Sequence, residues 1–150
     1  MTLAALLERR PIDEPVALVV AHPDDETLAL GGGLHLFRRL LLIHVTDGAP
    51  QFLDDAAREG FDSPADYAAA RAAELHDALS LVPWAPGADV TRLELHIPDQ
   101  AATAEIPEIA ARLQQAFGAH GIGTAVTHCY EGGHPDHDAV AMAVHRSGVE

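Results

Sequence analysis

The stretch VALVVAHPDDET at residues 16–27 decides how this chain folds. Its first five residues are apolar and mostly β-branched, which is typical of a strand covered on both faces in a parallel sheet. The polar residues that follow include a proline and three consecutive acids. This composition favours the first turn of a helix, where the positive end of the helix dipole stabilises carboxylates. The stretch therefore predicts a buried strand that passes directly into a helix.

Further strand patterns alternate with helical patterns along the chain. The predicted strands are 16–20, 40–45, 91–97 and 125–129, and the predicted helices are 28–39, 65–82, 104–117 and 138–145. Because strand and helix alternate, we expect an α/β fold: a Rossmann-like, open, mostly parallel sheet with helices on both faces. The segment 91–97 alternates apolar and polar residues, so we place it nearer a sheet edge. We expect one domain over residues 1–150, with the active site at the C-terminal ends of the strands.

The chain is strongly acidic, with 23 Asp and Glu against 9 Lys and Arg and a formal net charge of -14. Such a charge repels nucleic acid phosphates and anionic lipid surfaces, so we expect no nucleic acid partner. No apolar run approaches the roughly 18 residues of a membrane span, and residues 1–10 lack a signal-peptide pattern. The single cysteine, Cys129, is expected to be buried on the last strand. We therefore expect a cytoplasmic protein without an intramolecular disulfide; these features carry no information on its oligomeric state.

The first motif places His22 at the end of a strand and Asp25 three residues later in a tight turn. That spacing lets the two side chains converge on one point, whereas the side chain of Asp24 is directed differently and is free to act as a base. A proline followed by acids also suits a simple acidic helix start. Such a start does not need a histidine at the strand end, so we interpret the motif as half of a metal site.

The second motif, GHPDHD, repeats this pattern after the last predicted strand. A divalent ion of the zinc type takes three His and Asp or Glu ligands and leaves one position open for water. Together with the two residues of the first motif, His137 completes such a set. We then assign His134 as an acid and Asp136 as the residue that hydrogen-bonds a ring nitrogen and sets its orientation. The alternative for this motif is a helix start rich in capping residues.

Two further residues have open interpretations. Asp47, in the turn after the second strand, is either a turn former or a pocket residue that faces the metal. Arg71 lies three residues before Glu74 on a predicted helix, so the two form either an exposed ion pair or part of the site. Six histidines outside the motifs lack an acidic or histidine partner at ligand spacing, and we expect them to be structural or on the surface: His35, His44, His76, His96, His120 and His145.

These motifs resemble those of the PIG-L/LmbE-like family of zinc-dependent N-acetylglucosaminyl de-N-acetylases, whose hallmarks are an A-H-P-D-D-E segment after the first strand and a late H-P-D-H segment. The resemblance spans residues 16–145 and includes the T-D-G turn at 46–48, the R-x-x-E helix at 71–74, the I-P-D strand end at 97–99 and the Y-E-G-G segment at 130–133. Other members continue past the second motif, so we expect this domain to be shortened at its C-terminal end relative to them.

The resemblance implies a zinc-dependent hydrolase that removes an acetyl or other acyl group from an N-acetylated amine. An N-acetylglucosamine-type derivative is then the small-molecule substrate, and one Zn²⁺ or another divalent metal is the cofactor. The implied roles are His22, Asp25 and His137 as metal ligands, Asp24 as general base, His134 as the acid that also stabilises the oxyanion, Asp136 as its orienting partner, and Arg71, Asp47 and Tyr130 as substrate-binding residues.

Three other functions fit the same residues. One is a zinc hydrolase that acts on a different ester or amide bond, and another is a metal-binding domain without catalysis. A set of two histidines and a carboxylate also describes non-haem iron(II) oxygenases, although no pocket for an oxidisable cofactor is evident. The residues alone leave the acyl-amine unidentified, since its recognition depends on loops such as residues 51–63.

Overall fold

Strands and helices alternate along the chain in the computed structural model, which describes residues 2–149. The elements in chain order are α1 (Thr2–Leu7), β1 (Val16–Val20), α2 (Asp25–Leu30), β2 (Arg39–Pro50), α3 (Leu53–Arg58), α4 (Pro64–Ser80), β3 (Asp89–Asp99), α5 (Ile106–His120), β4 (Thr124–Thr127) and α6 (Pro135–Arg146). Short 3-10 turns lie at Leu34–Leu36 and Ala102–Glu105.

The strands form a four-stranded sheet in the order β3-β2-β1-β4, and each neighbouring pair is parallel. Val16 of β1 pairs with Leu40 on one side and with Thr124 on the other, so the central strand β1 lies between two strands that are distant in sequence. The strand predicted at 91–97 is β3, and it lies at an edge as expected. All four carboxyl ends therefore face the same side of the sheet.

Helices cover both faces of this sheet. Every residue of β1 is buried, as a strand with two covered faces requires. Ala17 and Val19 belong to a core cluster that includes buried residues of α5 and α6, whereas Val16 and Leu18 belong to a second cluster that includes buried residues of α1 and α4. The α/β fold with a parallel sheet and helices on both faces is thus confirmed.

Some local predictions were wrong. Residues 28–39 do not form one helix: α2 ends at Leu30, and three glycines, which are poor helix formers, separate it from a 3-10 turn. Strand β2 continues to Pro50, well beyond the predicted end at residue 45, because it keeps pairing with β3 across two irregularities in register. The last strand ends at Thr127, so Cys129 lies beyond it and is exposed rather than buried.

Two helix starts have defined local causes. Helix α4 begins after Ser63, whose hydroxyl accepts a hydrogen bond from the Asp66 N–H, with a proline in the first turn. Helix α6 begins at Pro135, and the preceding His134 caps it through its ring. Within residues 2–149, no helix has the length and apolarity needed to cross a membrane.

Candidate active site

Residues from both motifs meet above the carboxyl end of β1. His22 and Asp25 approach through the His22 Nδ1 and the Asp25 Oδ2, which are 3.3 Å apart. The His137 Nε2 lies 3.3 Å from the His22 Nδ1 and 3.4 Å from the Asp25 Oδ1. Each of the three side chains offers one donor atom within 4.8 Å of the other two. The structure therefore brings together the three residues that the motifs predicted as a ligand set.

The other ring nitrogen of His22 faces a second pair of carboxylates. Its Nε2 is 3.0 Å from the Asp99 Oδ1 and 3.5 Å from the Asp136 Oδ2. Burial lowers the pKa of His22, but hydrogen bonds with Asp136, Asp25 and Asp99 outweigh that effect and raise the pKa to about 11. This cluster of carboxylates around one imidazole stabilises positive charge at the carboxyl edge of the sheet.

The donor set fits a divalent metal ion. A ligating histidine usually donates the hydrogen of its other ring nitrogen to a carboxylate, which fixes the tautomer and the orientation of the ring. If the Nε2 of His22 donates to Asp99, the lone pair of its Nδ1 points at the space shared with Asp25 and His137. Nitrogen and carboxylate oxygen are donors that zinc accepts, and three protein ligands leave a position for water.

A second group of donors overlaps with the first, since His22, His134 and Asp136 also offer atoms within 4.8 Å of one another. In that group the carboxylate of Asp136 is already engaged. It is fully buried and accepts hydrogen bonds from the main-chain N–H groups of Gln100 at 2.6 Å and Ala102 at 3.2 Å. Burial raises the pKa of Asp136, but its hydrogen bonds with His22 and with the Gln100 N–H outweigh that effect and lower the pKa. Its lone pairs are thus less available than those of Asp25.

The predicted hydrogen bond between the Asp136 carboxylate and the ring of His134 is not formed within residues 2–149. The carboxylate turns instead to the main chain of residues 100–102 and to His22. The link to His134 runs through the main chain, because the Asp136 N–H donates to the His134 Nδ1 at 3.3 Å. In the neutral ring the hydrogen then lies on Nε2, where it is available to a substrate.

Asp24 and Arg71 form an ion pair at the rim of the same cleft. The Arg71 Nη2 is 3.1 Å from the Asp24 Oδ2 and donates to the Pro23 carbonyl at 3.2 Å. Although burial lowers the pKa of Arg71, the Asp24 carboxylate outweighs that effect and raises it. Arg71 thus pairs with Asp24 beside the cleft, whereas the ion pair with Glu74, one of the two interpretations left open for it, is not formed within residues 2–149.

A cleft of about 270 Å³ opens onto these groups. It is lined by His22, Asp24, Asp25, Arg71, Asp99, His134 and His137, together with Leu28, Gly48 and Tyr67. Two predicted substrate-binding residues do not line it. The Asp47 Oδ1 accepts hydrogen bonds from the N–H groups of Ala49 and Asp99, and Tyr130, 69% exposed, lines a different, mostly apolar cavity with Met142.

Sequence reasoning missed two side chains that contact the ligand set. Asp99 was noted at the end of the third strand but was given no role, and it contacts the His22 Nε2. His128 was taken as part of a strand, and its Nε2 lies 3.4 Å from the Asp25 Oδ2. The signal that could have found both was their position, since each follows or ends a strand whose carboxyl end faces the site.

A parallel α/β sheet with a His and Asp cluster at its carboxyl edge is typical of a metal-binding enzyme centre. Residues 17–147 match the sequence profile of the PIG-L family, which is described as GlcNAc-PI de-N-acetylase. The chain belongs to the PIG-L family. No curated protein gives a significant match to it.

Several solved structures share this fold. A deacetylase triple mutant of the teicoplanin biosynthetic pathway is 23% identical with a TM-score of 0.72, and the match covers 89% of this chain and 59% of that one. The N,N'-diacetylchitobiose deacetylase from Pyrococcus horikoshii is 19% identical with a TM-score of 0.66, covering 89% and 48%. The 4-carboxy-2-hydroxymuconate hydratase from Pseudomonas putida is 20% identical with a TM-score of 0.68, covering 89% and 55%. The chain thus spans 48–59% of the length of these three proteins.

Proposed function

We propose that this chain is a zinc-dependent N-deacylase that hydrolyses the amide bond of a small N-acetylated amine, of the N-acetylglucosamine type. The observation that carries the proposal is the convergence of His22, Asp25 and His137 on one point beside an open cleft. Membership of the PIG-L family supports the reaction class. Two of the similar structures are deacetylases and one is a hydratase, so the fold alone does not select the reaction and the site has to.

A divalent ion held by these three residues would supply Lewis-acid activation, which lowers the pKa of a bound water to about 7. Zn²⁺ is our first choice because imidazole and carboxylate donors suit it, and other divalent metals accept the same donors. Asp99 and Asp136 hold the ring of the central ligand, His22, from its other nitrogen.

Asp24 is the base that we propose for the attacking water. Its carboxylate is next in sequence to the ligand Asp25 but is turned to the rim of the cleft, where 44% of the side chain is exposed. The guanidinium of Arg71 orients it at 3.1 Å. Asp24 accepts a proton from the water as the water oxygen bonds to the acyl carbon. Arg71 also lines the cleft and has further N–H donors for the substrate.

His134 is the acid that we propose for the leaving group. Its Nε2–H is available because its Nδ1 accepts the hydrogen bond from the Asp136 N–H. In this form it donates a hydrogen bond to the oxygen of the tetrahedral intermediate. For the step in which the carbon–nitrogen bond breaks, His134 takes up a proton from solvent on Nδ1, which ends the long 3.3 Å contact with the Asp136 amide, and the imidazolium then transfers its Nε2 proton to the amine nitrogen. Asp24 returns the proton of the attacking water to solvent. The products are acetate and a free amine.

The test combines metal content with turnover. Zinc per chain is measured by elemental analysis, and acetate release is followed with N-acetylglucosamine derivatives and with a panel of other amides and esters. We expect near-stoichiometric zinc and acetate release in the wild type, loss of both in Asp25→Ala, and no change in Asp13→Ala, which removes an exposed acid just before β1, at the opposite end of that strand from His22. His134→Gln is expected to keep zinc and lose turnover.

Three results would change the proposal. Zinc binding without acetate release, but with turnover of another ester or amide, indicates a hydrolase of a different bond. Zinc binding without turnover of any substrate indicates a non-catalytic domain. Full zinc content in Asp25→Ala contradicts the ligand set itself.

A further inference from the structure

His128 lies directly after β4, and its side chain is 15% exposed. Its Nε2 accepts a hydrogen bond of 2.9 Å from the main-chain N–H of Ala21. This bond joins the end of β4 to the end of β1 at the residue just before His22. The carbonyl of Ala21 is held from the opposite side by the N–H and the hydroxyl of Thr46, at 2.8 and 2.9 Å. Ala21, the residue just before the proposed ligand His22, is therefore held by hydrogen bonds from two neighbouring strands.

The hydrogen bond with Ala21 also sets the form of the His128 ring. A main-chain N–H can only donate, so the Nε2 of His128 carries no hydrogen and the ring is neutral with its hydrogen on Nδ1. The same Nε2 lies 3.4 Å from the Asp25 Oδ2. Two acceptors do not bond to each other, and that oxygen instead accepts the His22 N–H at 2.8 Å. His128 thus packs against the Asp25 carboxylate and keeps it oriented toward His22 and His137.

The third contact is a ring stack with His137. The rings of His128 and His137 are nearly parallel, with an interplanar angle of 8° and centroids 4.0 Å apart. On its other side His137 stacks on His134, with centroids 4.5 Å apart. His137 is therefore the middle ring of three, and this packing fixes the plane in which its Nε2 faces Asp25.

We infer that His128 is a positioning residue of the metal centre, which holds the three ligands through the Ala21 hydrogen bond, the Asp25 contact and the His137 stack. The inference rests on the proposed ligand set. Residues that hold metal ligands from behind typically contribute 10- to 100-fold to metal affinity. We therefore expect His128→Ala to weaken zinc binding by about that factor, at a temperature where the metal-free variant is fully folded.

Two conservative variants separate the contacts. His128→Gln keeps an acceptor for the Ala21 N–H and loses the stack, whereas His128→Phe keeps the stack and loses the acceptor. Each is expected to recover part of the affinity that His128→Ala loses. His76→Ala is the control, because His76 is exposed in the C-terminal half of α4. Zinc affinity is measured for the full chain by competition with a colorimetric chelator, and the stability of each metal-free variant is measured by urea unfolding.

The outcomes separate this inference from the proposed function. A wild type that binds zinc through Asp25, together with a His128→Ala variant whose affinity is within about twofold of it, overturns the positioning role and leaves the proposed function standing. The positioning role is also overturned if, across the variants, the loss of zinc affinity is proportional to the loss of stability of the metal-free protein. A purely structural residue would behave in that way. If the wild type binds no zinc, the proposed ligand set and the positioning role of His128 are both wrong.

Discussion

Replacing Gly48 by alanine tests how closely β2 approaches the first motif. Gly48 has φ +67°, in the left-handed region, and a Cβ at this position would lie 2.7 Å from the Pro23 Cδ and 3.2 Å from the Arg71 Nε. The left-handed conformation costs an alanine about 1–2 kcal/mol. The contact adds the cost of overpacking, typically about 1–3 kcal/mol, because the ring of Pro23 cannot rotate away.

Gly121→Ala is the matched control. Gly121, which directly follows α5, has nearly the same φ as Gly48, +63°. Nothing lies within 4 Å of a Cβ built at Gly121. It should therefore lose only the conformational term. We expect Gly48→Ala to be less stable than Gly121→Ala by about 2 kcal/mol, which corresponds to roughly 4–8 °C in melting temperature for a chain of this size.

The assay is urea unfolding followed by circular dichroism, with zinc affinity measured on the same samples. Because Pro23 follows His22 directly, Gly48→Ala is also expected to weaken zinc binding, and Gly121→Ala is not. Equal stability losses in the two variants would refute the reasoning, since they would mean that the turn after β2 moves away from Pro23 without cost.

Three other substitutions have defined outcomes. Ser63→Ala removes the cap of α4 and should lower the free energy of unfolding by about 1 kcal/mol in urea denaturation. Arg71→Gln leaves the Asp24 carboxylate without its 3.1 Å partner, so kcat/KM for acetate release should fall about tenfold while zinc content stays the same; an unchanged rate would contradict the role of this ion pair. Glu26→Gln weakens a buried 3.0 Å hydrogen bond with His44 and should cost on the order of 1–3 kcal/mol at neutral pH, measured by thermal unfolding.

The alternation of strand and helix and the end of β1 could be predicted from the sequence, because both depend on local patterns. The apolar run at residues 16–20 forms the fully buried strand β1, and both motifs lie where parallel strands end. His22 and Asp25 are three residues apart, so their contact follows from chain geometry. His137 joins them because its motif also follows a strand of the same sheet.

The contacts that could not be predicted depend on the order of the strands. His128 reaches Ala21 only because β4 pairs with β1, and Asp99 reaches His22 across a strand that lies between them. Neither neighbour relation is encoded in local spacing. The same holds for His44, whose acidic partner Glu26 is 18 residues away in the chain and on another element.

The first turn of α6 carries His134, Asp136 and His137 together. His134 caps the helix, Asp136 accepts a hydrogen bond from the main chain that follows β3, and His137 faces the ligands of the first motif. Local fraying of this turn would therefore withdraw the acid, a buried carboxylate and a metal ligand in a single step. Binding at the site and the closed state of this helix end are thus linked equilibria, so that ligands slow amide hydrogen exchange there more than elsewhere in α6.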